Sequence, residues 1–62
     1  MFEVLKLDKT GHRHFVKAFP TLEAARATVQ SLGEHWPGAY LIVDQATSES
    51  IAIEMSGETE QD

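Results

Sequence analysis

One run, Thr21–Gly33 (TLEAARATVQSLG), constrains this chain more than any other, because it carries a helical start, a helical period and a stop. Thr21 suits the N-cap, where its hydroxyl accepts from an orphan N–H of the first turn, and Pro20 lies harmlessly just outside. Glu23 falls in the first turn, where the helix dipole favours an anion. Leu22, Ala25, Val29 and Leu32 recur at spacings of three and four and so share one face. Gly33 stands where a left-handed residue would end the helix. Such a stripe is stable only when buried, so the remaining segments must supply a surface for it.

Two hairpins fit that requirement. Residues 1–19 read as a pair of strands around DKTGH, with Asp8 at the first position of a type I turn and Gly11 at the left-handed position of a bulge. With Asp8 facing His12, the register runs from Leu7–Arg13 through Leu5–Phe15 and Val4–Val16 to a Glu3–Lys17 pair and Phe2–Ala18. Residues 39–43 (AYLIV) and 50–55 (SIAIEM) read as two more strands around the turn Asp44–Glu49, where Ser48 takes a position easier for glycine. Pairing Val43 with Glu49 sets Ala39, Leu41, Val43, Ile51, Ile53 and Met55 on one face, and Tyr40, Ile42 and Ala52 on the other. Between the hairpins, Trp36 is expected to close the end of the core. The expected fold class is α+β: a ββαββ chain forming a four-stranded antiparallel sheet, spatial order 2-1-3-4, with one helix packed on one face. Residues 1–55 form the single domain, and 56–62 (SGETEQD) form a disordered acidic tail without apolar residues.

Under this register the helix meets Phe2, Val4, Val16, Ala18, Leu41, Val43, Ile51 and Ile53. A one-sided antiparallel sheet should then be polar on its other face. Instead Leu5, Leu7, Phe15, Tyr40 and Ile42 fall there together, with Arg13 and Lys17 flanking them. Contiguous apolar surface of this kind marks an interaction site. Association would also support a domain of 62 residues with no cysteine, for which a single core supplies only about 3–5 kcal/mol. The expected function is therefore a small acidic protein-interaction module, forming a homodimer or binding a protein partner through that face.

Charge bears on the alternatives. The net charge is −5, yet residues 1–32 hold all five basic residues against three acids, while 33–62 hold seven acids and no Lys or Arg. The alternation Arg13-x-Phe15-x-Lys17 is a surface on which single-stranded nucleic acid could stack, and a nucleic-acid-associated accessory role is the runner-up. The acidic remainder opposes it by long-range repulsion, so nucleic acid is not the expected partner. A third reading makes the acidic half a decoy for a basic site on a target. His12, His14 and His35 invite a metal, but no local spacing ties a third ligand to the first two, and no metal is expected. No nucleophile–base motif, phosphate loop or HExxH is present, so neither an enzyme, a cofactor nor a small-molecule substrate is expected. No apolar run approaches the roughly 20 residues of a membrane span, and the absence of cysteine fits a reducing compartment; the expected location is cytoplasmic, away from membranes.

Overall fold

The computed structural model describes residues 1–55; the expected acidic tail lies outside the described residues. The elements are β1 (Phe2–Leu7), β2 (Arg13–Phe19), α1 (Leu22–His35), β3 (Gly38–Asp44) and β4 (Ser50–Met55). The sheet is fully antiparallel in the order β2-β1-β3-β4, and α1 lies across one face. This is the expected α+β arrangement, including the strand order. β2 and β3 run parallel across the helix and are not neighbours; of the antiparallel orders this leaves, the sheet takes the one in which both pair with β1.

α1 begins as its sequence dictates. Thr21 has extended backbone, and its Oγ1 accepts from the Ala24 N–H at 3.1 Å. It does not end at Gly33. The helix continues to His35, and the Trp36 N–H closes it on the Leu32 carbonyl at 2.6 Å. Gly33 is a buried helical residue, and a Cβ placed there would come within 2.7 Å of the Met55 Cβ. Its glycine serves the close approach of α1 to β4, not a left-handed cap. Backbone freedom is needed at Gly38, where φ is +141° and the connection from α1 enters β3.

The first hairpin follows the expected register as far as Leu5–Phe15 and then departs from it. A bulge at Val16 makes Lys17 the partner of Val4, Ala18 the partner of Glu3, and Phe19 the partner of Phe2. Bulges set two residues of one strand against one of its partner. The expected Glu3–Lys17 pair is therefore absent, and Glu3 Oε2 instead accepts from Gln45 Nε2 at 2.8 Å. Lys17 leans over the Phe19 ring on the helix side of the sheet. Phe19, not Ala18, faces the helix.

The second hairpin is displaced by one residue from expectation. Asp44 pairs with Glu49 through a 2.8 Å N–H···O bond, and Val43 consequently pairs with Ser50. Ser48 adopts φ +65°, which allows the loop to close one residue tighter. A one-residue slip exchanges the faces of a strand. Tyr40 and Ile42 thus enter the helix–sheet core, while Leu41 and Val43 turn to the other side.

The core comprises Val4, Ala25, Val29, Tyr40 and Ile42, all essentially without solvent exposure, with Phe2, Val16, Phe19, Leu22, Leu32, Ile51, Ile53 and Met55 packed around them. Each fully buried aliphatic or aromatic side chain contributes about 1.5–3 kcal/mol. The Tyr40 hydroxyl donates to the Trp36 carbonyl, which satisfies the one polar atom this ring carries inward. No helix of the described residues is long and apolar enough to cross a membrane.

Candidate functional site: the uncovered sheet face

The face opposite α1 can be written out from the strand pairings, since directly paired residues share a side. Its first row is Ala18, Glu3, Val43 and Ser50, reading from β2 to β4. The middle row is Phe15, Leu5, Leu41 and Ala52. The last row is Arg13, Leu7, Ala39 and Glu54. Leu5, Leu7, Leu41 and Val43 are each half-buried by their neighbours alone, and Phe15 is 61% exposed at the β2 edge. An unbroken apolar band therefore crosses the sheet and is bounded at one end by Arg13 and Glu54 on opposite edges.

Of the seven residues expected to bind a partner, Leu5, Leu7, Phe15 and Arg13 lie on this face. Tyr40 and Ile42 do not: with 0% and 1% exposure they belong to the core and cannot meet a partner. Lys17 is also removed, because the bulge at Val16 turns it to the helix side. Their places are taken by Leu41 and Val43. The sequence carried this signal in the apolar character of every position from Ala39 to Val43, which leaves apolar side chains outward in either register. The alternation of base and aromatic along β2 is broken by the same bulge, so Arg13 and Phe15 stand without the second cation that a phosphate track would use.

Two other groups of polar side chains come together in the fold. At the first turn, Asp8 Oδ1 accepts from the Thr10 N–H (2.9 Å), the Thr10 hydroxyl (2.6 Å) and the His12 N–H (2.9 Å). Asp8 Oδ2 accepts from His14 Nε2 at 2.8 Å. The His14 hydrogen bond, followed by that of Thr10, holds the Asp8 carboxyl well below the usual carboxylate range. This network rigidifies the hairpin tip. Among the described residues, no three His, Cys, Asp or Glu side chains converge as a metal site would require.

The second grouping surrounds Lys6, which is only 7% exposed. Its ammonium lies 5.0 Å from the Trp36 ring centre and 5.6 Å from that of Tyr40, and donates to the Leu7 carbonyl at 2.9 Å. The two rings meet edge-on at 87°. Trp36 remains 47% exposed, so it covers the lysine as much as it closes the core. An open groove of about 520 Å³ beside it is lined by Lys6, Lys9, Asp8 and Glu54 together with Trp36 and Pro37. Two cations and two carboxylates give that groove no preference for either charge. The arrangement is explained by packing alone: burial of the lysine stem against aromatic faces with its polar end bonded.

The uncovered face is accordingly the feature for which the fold itself supplies no use. No protein-family model matches the chain, and no curated protein or solved structure shows significant similarity to it.

Proposed function

We propose that this chain is a small, non-catalytic protein-interaction module acting through the sheet face that α1 leaves bare, as a homodimer or as the receptor of a protein partner. The observation that carries the reading is the apolar row Phe15–Leu5–Leu41–Ala52, continuous from one edge of the sheet to the other. Contiguous apolar surface of this kind, rimmed by polar residues, is often an interaction site. The wide net negative charge favours a protein over nucleic acid as the occupant. The reading carries with it a cytoplasmic location and no catalytic or cofactor chemistry.

The test is substitution on the face with a control at the hairpin tip. Leu5→Asp and Phe15→Asp should abolish self-association, measured by sedimentation equilibrium over a dilution series, or abolish capture of a partner when the parent is a monomer. Lys9→Glu should leave both unchanged. Circular dichroism must show all three variants folded. Face variants that retain the parent's association and its capture of partners would remove the face from the function.

A further inference from the structure

The arrangement of charge and size on the bare face points to its occupant. We propose that the face is covered by a second copy of this chain, stacked sheet on sheet about a two-fold axis parallel to the strands, with Arg13 of each copy meeting Glu54 of the other. This rests on the proposed interaction role of the face and specifies its partner.

A two-fold axis running along the strands between β1 and β3 lays β2 of one copy over β4 of the other, and β1 over β3. Rows are preserved. In the middle row the bulky edge residue Phe15 then lies over the partner's Ala52, and Leu5 lies over the partner's Leu41. In the last row Leu7 meets the partner's Ala39, and Arg13 meets the partner's Glu54. Large side chains are thereby set against small ones, and cations against anions, twice per dimer. Among the described residues, ion pairs form only between Asp8 and the two histidines of the first hairpin, so Arg13 and Glu54 are each free to make this contact.

The other two-fold that brings the faces together, running across the strands, fails on the same grid. It sets Phe15 on Phe15 and Ala52 on Ala52, wedging one edge open and leaving a gap at the other. Either axis lays Glu3 over an apolar side chain of the partner copy, Val43 with the first and Leu7 with the second, so the choice rests on the middle row and on the Arg13–Glu54 pairs. Aligned stacking of two twisted sheets, with strands within about 30° of each other, is a common packing, and both axes give it. Four strands spaced about 4.8 Å apart, with rows spanning about 17 Å, offer roughly 500 Å² of accessible surface per copy once side-chain relief is included. The pair buries about 1,000 Å², at the low end of specific interfaces, so dissociation in the micromolar range is expected.

The experiment is a charge-reversal cycle on the full chain: Arg13→Glu, Glu54→Arg and the double variant, with Phe15→Asp beside them, each followed by sedimentation equilibrium. Each single reversal should weaken the dimer about tenfold, since two rim pairs turn repulsive, and the double reversal should return to within about threefold of the parent. Phe15→Asp should give monomers. A second readout places a spin label on Lys9→Cys, a unique thiol in a chain without cysteine. The proposed axis brings both hairpin tips to one end, about 14 Å apart and within dipolar broadening, whereas the rejected axis puts them about 28 Å apart. A dimer broken by Phe15→Asp but not restored by the double reversal, with distant labels, would overturn this axis while the interaction role of the face stands. A parent that is monomeric at every concentration would overturn the second copy as occupant and direct the same face variants to partner capture. A dimer indifferent to Phe15→Asp would overturn both.

Discussion

Replacing Gly33 by alanine should destabilise this protein, although the same change inside an exposed helix is favourable. Two effects oppose each other. Alanine in a helix interior gains about 1 kcal/mol over glycine, chiefly from backbone entropy. Against this, the new Cβ would lie 2.7 Å from the Met55 Cβ, Cγ and Cε. Carbon atoms in ordinary contact sit about 3.5–4.0 Å apart, so roughly 1 Å must be found. The Met55 Cγ and Cε can rotate away, but its Cβ is fixed to β4, so α1 and the strand must separate. Overpacking that moves backbone costs about 1–3 kcal/mol, and the fixed Cβ puts this site in the upper half of that range. The net expectation is a loss of about 1–2 kcal/mol, or roughly 4–16 °C in Tm for a domain of this size. Urea unfolding followed by Trp36 fluorescence reads it directly. Ala27→Gly, at an exposed position of the same helix, calibrates the propensity term and should cost about 1 kcal/mol. A Gly33→Ala variant as stable as the parent, or more so, would refute the claim that α1 is seated on β4 at this distance.

Three further outcomes follow from single contacts. Gly38→Ala should be destabilising, by about 1–3 kcal/mol in thermal unfolding, because φ is +141° there; the Lys6 ammonium, 2.6 Å from the added Cβ, is the end of a flexible side chain and adds little by moving. Thr21→Ala should cost about 1 kcal/mol by removing the acceptor that caps α1, with Thr21→Ser near neutral in the same melt. Asp8 has a folded-state pKa below its unfolded value, so its contribution is present above about pH 4 and is lost as the pH falls below that point, where the unfolded chain binds the proton first. Comparing Tm against pH for the parent and Asp8→Asn should therefore show curves that converge on acidification; a gap that widens as the pH falls would contradict the hydrogen-bonded carboxylate.

Most of the fold was legible because its signals are local. The Thr21 cap, the three-and-four spacing of Leu22, Ala25, Val29 and Leu32, and the Asp8-x-x-Gly11 turn each act within a few residues. Strand direction excluded β2 beside β3 but allowed either β1 beside β3 or β2 beside β4, and the sheet takes the first. What escaped was non-local. Whether Gly33 ends a helix or lets it approach a strand depends on Met55, twenty-two positions later in the chain, and both readings call for the same residue. The bulge at Val16 leaves no distinct mark in RHFVKAF, since it is set by the need of both Val16 and Phe19 to reach the core. The closing of the second hairpin depends on a serine accepting φ +65°, which sequence disfavours without forbidding.

The candidate face survived the error in its register for a physical reason that can itself be tested. Every position from Ala39 to Val43 is apolar, as in strands covered on both sides, so a slip exchanges Tyr40 and Ile42 for Leu41 and Val43 without making the outer face polar. The two registers nonetheless predict opposite fates for adjacent substitutions. In the observed one, Ile42→Asp puts a carboxylate into the core at 1% exposure, with no partner for its charge. The cost, several kcal/mol for an unpaired buried charge, meets or exceeds the roughly 3–5 kcal/mol a domain this small commands, so the variant should be unfolded. Leu41→Asp places its carboxylate on the bare face at the centre of the apolar row, where the isolated domain tolerates it and an associated one does not. It should fold with near-parent circular dichroism and fail to self-associate. The reversed pattern, a folded Ile42→Asp beside an unfolded Leu41→Asp, would show that β3 turns its other side to the helix, and with it the whole grid on which the Arg13–Glu54 pairing is drawn.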